Sequence, residues 1–407
     1  MKILMYCLNY APELTGIGKY TSEQAEWLVA QGHDVRVIAA PPYYPEWAVA
    51  KGYKAWQFRR EERNGVTLFR VPIWVPRVPS GLKRLVHLAS FAISSLPALA
   101  GQFTWKPDIV FVVEPPFFCS PAALLFAKLF GAKSWLHIQD FEVDAAFSLG
   151  LLKKRWMQEL MLSVERRLMR RFDRVSTISD AMMRLALKKG VDSGKLLFFP
   201  NWANLDTIVP LPNTTIYREQ LSIPTDAVVA LYSGNMGGKQ GLNILGDLAH
   251  LLSAHDNIHF LFCGDGPAKA ALEHHCAGLK RVHFLPLQPI EHLPSLLATA
   301  DIHLLPQRRD AADLVMPSKL TGMLASGRPI VVTANPETEL AATVSQCGLV
   351  VPAEQAEELA QAVLTLASRK ELRIEFGTAA RRHAEQTLGI NQILEKFLTN
   401  AFVVVGD

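Results

Sequence analysis

A serine and a lysine stand at the beginning of an apolar helical stretch, MPSKLTGMLASGRP, at residues 316–329. Ser318 and Lys319 would bring a hydroxyl and an ammonium group to a helix start, where backbone N–H groups lack partners and the helix dipole is positive. Pro317 lies directly before them. Together these groups favour a phosphate. The alternative is that Ser318 only caps the helix and that Lys319 is solvated.

Two glycine-rich turns in the same half of the chain can also approach an anion. SGNMGGKQG, at residues 233–241, contains the cation Lys239, and CGDGP, at residues 263–267, can reach a ribose or a base edge. Asp265 can instead cap a helix. The Walker spacing of ATP-binding loops is absent, which argues against an ATPase.

The N-terminal half has its own glycine turn, NYAPELTGIGKYTSE, with Gly16 and Gly18 before a helix. This GxG pattern lacks the third glycine of the dinucleotide fingerprint, and no acidic residue ends the second strand, which argues against a dehydrogenase. We expect the turn to approach a phosphate or a sugar. The alternative is a tight loop with no ligand.

One predicted strand is unusually polar. SWLHIQDFEVDAAF puts His137 and Gln139 on one face, with Asp140 and Asp144 just beyond the strand. Buried parallel strands rarely carry such polarity unless they line a crevice. A lone histidine is more often a hydrogen-bonded core residue, so Asp140 is the stronger candidate for contact with an acceptor. Glu114, at the end of DIVFVVEPP, is a weaker one, since a carboxylate before two prolines can face solvent.

Apolar runs that alternate with helical stretches position these residues. KILMYCLNY, DVRVIAA, VTLFRVP, DIVFVVE, AKSWLHIQD, RVSTISD and KLLFFPN predict strands in the first half, and AVVALYSGN, IHFLFCGDG, VHFLPLQ, IHLLPQ, PIVVTAN and GLVVPA in the second. Near-continuous apolar strands between helices indicate parallel sheets covered on both faces. The expected fold is α/β, with two Rossmann-like, doubly wound domains facing across a cleft that holds the site.

The boundary between the domains is predicted from composition. Residues 201–224 are rich in Pro, Asn and Thr and have little periodicity, so we interpret them as the linker. The expected domains are 1–203 and 204–385, with a C-terminal helix at 386–407 that packs back on the N-terminal domain.

The net charge and the composition of the chain exclude some classes of partner. A net charge of +4 over 407 residues suits anionic ligands or an anionic membrane surface but not a nucleic acid. The five scattered cysteines fit core positions in a reducing compartment, and no leader is visible, so a cytoplasmic protein is expected. Residues 85–101 predict a buried or interfacial helix. Residues 151–172 alternate basic clusters with apolar residues, which fits a helix on anionic lipid or, equally, a plain surface helix.

In their order along nearly the full length, the chain's motifs resemble retaining glycosyltransferases of the GT-B fold, family 4. The resemblance rests on TGIGKYTSEQAEWLVAQGHDVRVIA, EPPFFCSPAALLFAKLFGAKSWLHIQDF, LFFPNWANLD, LYSGNMGGKQGLNIL, FCGDGP and PSKLTGMLASGRPIVVTA. It implies a nucleotide-sugar donor, with GDP-fucose expected, and a lipid-linked saccharide acceptor in exopolysaccharide (colanic acid) synthesis at the cytoplasmic membrane surface. It implies a donor site at Gly16, Gly18, Gly234, Asn235, Gly237, Gly238, Gly264, Asp265, Gly266, Pro317 and Ser318.

The chain departs from the family pattern at several positions. Asn235 and Gln240 stand where the family usually has an Arg and a Lys on the diphosphate, with Lys239 nearby. Leu314 and Gly322 occupy the places of two glutamates. Gln139 stands where a His often ends the acceptor-side strand, and the matching Asp140 follows it. The glutamate contact to the donor sugar and the histidine role are therefore not carried over.

The expected chemistry is the cleavage of a sugar–diphosphate bond. Lys239 and Lys319 would stabilise the departing charge, and Asp140 would orient the acceptor. No metal or other cofactor is expected, because no DxD pair is present and the cations serve the leaving group. His137, Gln139 and Glu114 are the other acceptor-side candidates. The alternatives are a nucleotide-sugar epimerase and a non-catalytic member of a polysaccharide assembly complex.

Overall fold

The computed structural model describes residues 1–13, 16–78, 81–141, 143–144, 155–212, 216–237, 240–309 and 316–406. Gly238, Lys239 and Leu314 lie outside the described residues. The chain divides into two compact units. The first consists of Met1–Pro200 with Leu394–Asp407, and the second of Asn201–Ile393.

Each unit contains one sheet. The first sheet is formed by β1 (Lys2–Tyr6), β2 (Asp34–Ala39), β3 (Arg59–Arg63), β4 (Val66–Arg70), β5 (Ile109–Glu114), β6 (Lys133–Ile138), β7 (Arg174–Thr177) and β8 (Leu196–Phe198), in the order β3-β4-β2-β1-β5-β6-β7-β8. The second sheet is formed by β9 (Val228–Ser233), β10 (Ile258–Cys263), β11 (Val282–Leu285), β12 (Ile302–Pro306), β13 (Ile330–Thr333) and β14 (Gly348–Val351), in the order β11-β10-β9-β12-β13-β14.

Helices connect the strands of both sheets. Those of the first unit are α1 (Gly16–Ala30), α2 (Gly81–Ser94), α3 (Leu96–Ala100), α4 (Ser120–Phe130), α5 (Arg155–Met169) and α6 (Asp180–Lys188). Those that follow are α7 (Ile216–Gln220), α8 (Asn243–Leu251), α9 (Lys269–His275), α10 (Leu293–Thr299), α11 (Lys319–Ala325), α12 (Glu339–Val344), α13 (Ala356–Ser368), α14 (Lys370–Thr387) and α15 (Ile390–Gly406).

The central strands are buried on both faces, as their continuous apolar sequences predict. Along β9, Ala230 and Tyr232 pack into one apolar cluster, and Val229 and Leu231 pack into another. Alternate side chains of a strand point to opposite faces, so β9 joins two layers of core. Its parallel neighbours β10 and β12 fix the register. The predicted α/β class with two doubly wound sheets is confirmed.

The first sheet is not entirely parallel, because β3 pairs with β4 in the antiparallel sense. This strand, with the sequence RREER, was not predicted, since it is an edge strand with no apolar run. Asn64 and Gly65 connect the pair, both with positive φ. The Asn-Gly dipeptide is the sequence signal for such a hairpin.

The segment interpreted as the linker, 201–224, lies within the second unit, which begins at Asn201. Trp202, Ala203 and Ile208 are buried in the second unit, and Ala203 N donates to the carbonyl of Leu388. Within the described part of this segment, α7 adds a short helix. The Pro and Asn residues of this segment indicated the end of the first sheet. The buried apolar side chains between them hold the segment in the core of the second unit.

The C-terminal helix completes an aromatic cluster of the first unit. The ring of Phe397 lies 5.3 Å from that of Phe111, 4.9 Å from that of Trp135 and 5.1 Å from that of Phe199, between centroids. Phe397 is only 2% exposed. The part of α15 from Leu394 onward thus belongs to the first unit.

Two expectations about the chain as a whole can be compared with the structure. All five cysteines are buried and free, in agreement with the predicted core positions. Residues 85–101 form parts of α2 and α3. Within the described ranges, no helix combines the length and the apolar character needed to span a bilayer.

Candidate functional site

Lys319 and Tyr232 form the centre of the predicted donor site in the second unit. The Lys319 ammonium donates to Tyr232 Oη at 2.7 Å and lies 4.1 Å from the centroid of its ring. Tyr232 Oη in turn donates to the carbonyl of Asn235 at 2.6 Å. Burial lowers the pKa of Lys319 to about 7, because the loss of solvation disfavours the charged ammonium.

The same lysine reaches the glycine turn at residues 233–241. A Cβ built on Gly234 would lie 3.4 Å from the Lys319 ammonium. The start of α11 and the end of β9 are therefore brought together, as expected for the carboxyl ends of neighbouring parallel strands. A side chain at position 234 would cover the cation. Glycine there leaves the ammonium accessible to a group that approaches the turn.

The two glycine turns of the second unit pack against each other. A Cβ on Gly264 would lie 1.9 Å from the carbonyl oxygen of Gly234, and one on Gly266 would lie 2.5 Å from that of Met236. Gly234 N donates to Cys263 O and Met236 N donates to Asp265 O, both at 2.9 Å. Gly264 and Gly266 are therefore required for packing, whether or not a ligand is present.

The side chain of Asp265 has internal partners. Its carboxylate accepts from Leu287 N at 2.8 Å and from the Lys269 ammonium at 2.9 Å. Burial raises the pKa of Asp265, but the Leu287 N–H and the Lys269 ammonium outweigh it and hold this pKa below its usual range. The carboxylate thus joins the turn at 263–267 to the segment after β11.

At the start of α11, Ser318 is exposed and does not cap the helix through its side chain. Pro317 is partly exposed directly before it. The alternative in which Ser318 acts as a capping residue is therefore not observed. Gly322, which stands at the place of a family glutamate, faces α10, since an added Cβ would lie 3.4 Å from Leu297 Cδ1.

Arg308 is a further cation of this region that the sequence analysis missed. It follows β12, and its Cγ would lie 2.8 Å from a Cβ on Gly241, the last residue of the glycine turn at 233–241. Gln240 lies over the same turn, with its Oε1 3.0 Å from a Cβ on Gly237. The signal was a pair of arginines directly after a buried strand, in the sequence LLPQRRD.

In the first unit, Glu13 organises the glycine loop, and this residue was also missed. Its carboxylate accepts from Tyr43 N and Tyr44 N at 3.0 Å and from Asn9 Nδ2 at 2.8 Å. Burial raises the pKa of Glu13, and these three donors oppose the effect. A Cβ on Gly18 would lie 2.9 Å from Glu13 Oε2. Gly18 therefore makes room for this carboxylate, while Gly16 begins α1 with a positive φ.

His137, on β6, and Gln139, just after it, form one hydrogen-bonded group. Gln139 Nε2 lies 2.9 Å from His137 Nε2, and His137 Nδ1 lies 2.9 Å from Ser176 Oγ. The amide donates, so the ring accepts at Nε2 and carries its proton on Nδ1. Burial lowers the pKa of His137 to about 3, which keeps the ring neutral. It is a satisfied core histidine.

Of the carboxylates near this strand, Asp140 is partly exposed and Glu114 is fully buried. The possibility that Glu114 faces solvent is wrong. Asp144 pairs with the Lys189 ammonium, which also pairs with Glu165. Burial raises the pKa of Glu165, and Lys189 opposes that rise. Asp144 therefore serves an internal ion-pair group, and Asp140 stays the predicted acceptor-side carboxylate.

Models of known protein families match parts of both units. The family model described as Glycosyl transferase 4-like domain matches residues 15–202, and the one described as Glycosyl transferases group 1 matches residues 227–369. The chain is 45% identical over 98% of its length to a protein of Escherichia coli (strain K12) that is named as a colanic acid biosynthesis glycosyl transferase, WcaI, and covers 99% of it.

Solved structures show the same fold at low identity. Sucrose-phosphate synthase from Thermosynechococcus elongatus aligns with a TM-score of 0.74 and 16% identity, over 100% of this chain and 99% of that one. Anabaena HepE in complex with UDP-glucose aligns with a TM-score of 0.72 and 16% identity, over 98% and 99%. At this identity the likeness concerns the fold alone.

Proposed function

The chain belongs to the glycosyltransferases of the GT-B fold, and on that premise we propose that it transfers L-fucose from GDP-fucose to a lipid-linked saccharide in colanic acid synthesis. The name of its relative in Escherichia coli supports the pathway. The observation that carries the donor assignment is the Lys319 ammonium beside Gly234, a position with no side chain to cover it.

The donor diphosphate is assigned to this turn. The Lys319 ammonium would donate to its oxygens in place of Tyr232 Oη, and Arg308 would add positive charge from the neighbouring loop. Cleavage of the sugar–diphosphate bond leaves negative charge on the leaving group. A preorganised cation stabilises that charge most where water is excluded. Lys239 remains a predicted partner for the same charge.

The acceptor is assigned to the first unit. Asp140 is the carboxylate that would orient the acceptor hydroxyl, and the neutral group of His137 and Gln139 supports the strand that ends beside it. The hydroxyl attacks from the face that the diphosphate leaves, and the departing phosphate takes its proton. The configuration of the transferred sugar is then retained, and no protein base is required.

A lipid-linked acceptor requires contact with a membrane surface, and α5 is one candidate element. The predicted helix within 151–172 is observed as α5, with Trp156, Leu160 and Val164 exposed along one side and Arg166 and Arg167 near its end. Apolar and basic residues in this arrangement suit the boundary of an anionic bilayer.

Release of nucleotide from a panel of GDP- and UDP-sugars tests the proposal. Slow hydrolysis of GDP-fucose to GDP is expected, and Lys319→Ala should abolish it while Lys269→Ala, which removes a cation paired with Asp265, should not. Release from UDP-sugars alone would show that the donor is wrong. Release from none of them would favour a non-catalytic member of an assembly complex.

A further inference from the structure

One side of the first unit carries apolar side chains that are exposed in the described part of the chain. On α2, Leu82 is 71% exposed, Ile93 is 69% exposed, and Val86 is exposed between them. These positions share one stripe of the helix, opposite the buried His87, Leu88 and Phe91. The helix is therefore apolar on both sides, whereas a surface helix normally turns a polar side to water.

The apolar exposure continues across the neighbouring helices. α3 contacts both α2 and α4, and the turn Phe117–Cys119 also contacts both. Leu125 and Leu129 are exposed on α4. Phe103 follows α3, and its exposed ring lies 6.2 Å from that of Phe130 at the end of α4. We call the exposed sides of α2, α3 and α4 the apolar face.

A tryptophan borders the apolar face. The backbone N–H of Trp74 donates to Ser90 Oγ at 3.0 Å, and its carbonyl lies 2.6 Å from His87 Nδ1, which holds the segment against α2. The Trp74 side chain is exposed. Tryptophan is enriched at the boundary between lipid and water, because its ring is apolar and its N–H is polar.

The segments that form the apolar face carry charges of one sign. Residues 63–107 contain no aspartate or glutamate, and neither do residues 115–139. Lys83 and Lys128 are exposed on α2 and α4, and Lys106 follows α3. A protein partner of mixed charge would leave such cations partly unpaired, whereas a surface of uniform negative charge matches them all.

We propose that the apolar face is the surface by which the protein docks on a bilayer containing anionic phospholipid. Leu82, Val86 and Ile93 enter the boundary between headgroups and acyl chains, and Lys83 and Lys128 lie at the headgroup phosphates. This inference rests on the proposed function, since it identifies the surface that brings the site to a lipid-linked acceptor.

Co-sedimentation with vesicles tests the proposal on the full chain. The protein should bind vesicles of phosphatidylethanolamine and phosphatidylglycerol more tightly than vesicles of phosphatidylcholine, and added salt should weaken the binding. The triple variant Leu82→Gln, Val86→Gln, Ile93→Gln should bind the anionic vesicles about tenfold more weakly or worse, because three apolar side chains no longer enter the boundary. The matched control Leu187→Gln, Leu251→Gln, Ile374→Gln changes exposed side chains elsewhere and should bind like wild type.

Several results would overturn the proposal. One is wild-type binding by the α2 variant. Another is loss of binding only in a variant of α5, Trp156→Gln, Leu160→Gln, Val164→Gln. A third is a change from dimer to monomer in the α2 variant with vesicle binding unchanged, which would assign the face to a second copy of the chain. Vesicle binding is independent of turnover, and the α2 variant should still release GDP, so failure here is distinguishable from failure of the proposed function.

Discussion

At the scale of single residues, Lys319 is the side chain on which the donor assignment depends. Its ammonium lies against the Tyr232 ring and hydroxyl, with burial lowering its pKa to about 7. A diphosphate at the turn would favour the charged form and raise that pKa. Donor binding should therefore be accompanied by proton uptake at the pH where the free lysine is partly neutral.

The first prediction concerns this pH dependence. Below pH 7, Lys319 is charged with and without the donor, so affinity for GDP-sugar should not change with pH through this group. Above pH 7 the free site loses the proton and binding must restore it, so Kd should rise about tenfold per pH unit until the pKa of the bound state is reached. Calorimetry in buffers of different ionisation enthalpy measures both the affinity and the proton uptake.

Two variants serve as controls for that measurement. Lys319→Arg stays charged at every pH tested, so proton uptake should disappear. Lys319→Met should bind about ten- to a hundredfold more weakly at pH 7 and without pH dependence, because it loses a charge-assisted hydrogen bond. Proton uptake that persists in both variants would assign it to a different group.

The second prediction concerns metal ions. The leaving diphosphate is assigned to Lys319, Lys239 and Arg308, so turnover should not depend on a divalent cation. Release of GDP from GDP-fucose should be the same within error before and after treatment with EDTA. Loss of activity with EDTA, restored by Mg²⁺ or Mn²⁺, would contradict the assignment of the leaving group to side-chain cations.

At the scale of elements, the glycine turns at 233–241 and 263–267 pack against each other as one structural unit. The third prediction tests this packing. Gly264→Ala places a Cβ against the carbonyl oxygen of Gly234 at a φ of +156°. We therefore expect the free energy of unfolding to fall by about 3 kcal/mol or more, or the variant not to fold. Gly278→Ala has the same change at a φ of +85° with no atom within 4 Å, and should cost about 1–2 kcal/mol. Urea unfolding gives both values, and equal losses would refute the close packing.

Apolar runs were sufficient to predict the buried strands, because a strand that is covered on both faces consists mostly of Val, Ile, Leu and Phe. β3 was not predicted, since an edge strand made only of Arg and Glu carries no such signal. In the site, the spacing of Ser318 and Lys319 predicted their place at the start of α11. Tyr232 was missed because a tyrosine inside an apolar strand resembles a core residue, and only tertiary structure brings its hydroxyl to Lys319.

At the scale of the whole molecule, the first unit depends on a helix from the far end of the sequence. The fourth prediction is that Phe397→Ala lowers the free energy of unfolding of that unit by about 3–5 kcal/mol, because it empties the centre of the aromatic cluster. Phe402→Ala changes a 53% exposed ring on the same helix and should cost less than about 1 kcal/mol. Urea unfolding followed by tryptophan fluorescence distinguishes them, and equal costs would show that α15 is not anchored by Phe397.

This arrangement has a consequence for synthesis on the ribosome. The second unit is continuous in sequence, from Asn201 to Ile393, whereas the first is interrupted and its last segment is translated only after the second unit. A nascent chain that has emerged only to residue 393 holds every strand of the first sheet but leaves Phe111, Trp135 and Phe199 without the ring that fills the space between them. The half made first is thus expected to reach its native state last, after the half made second.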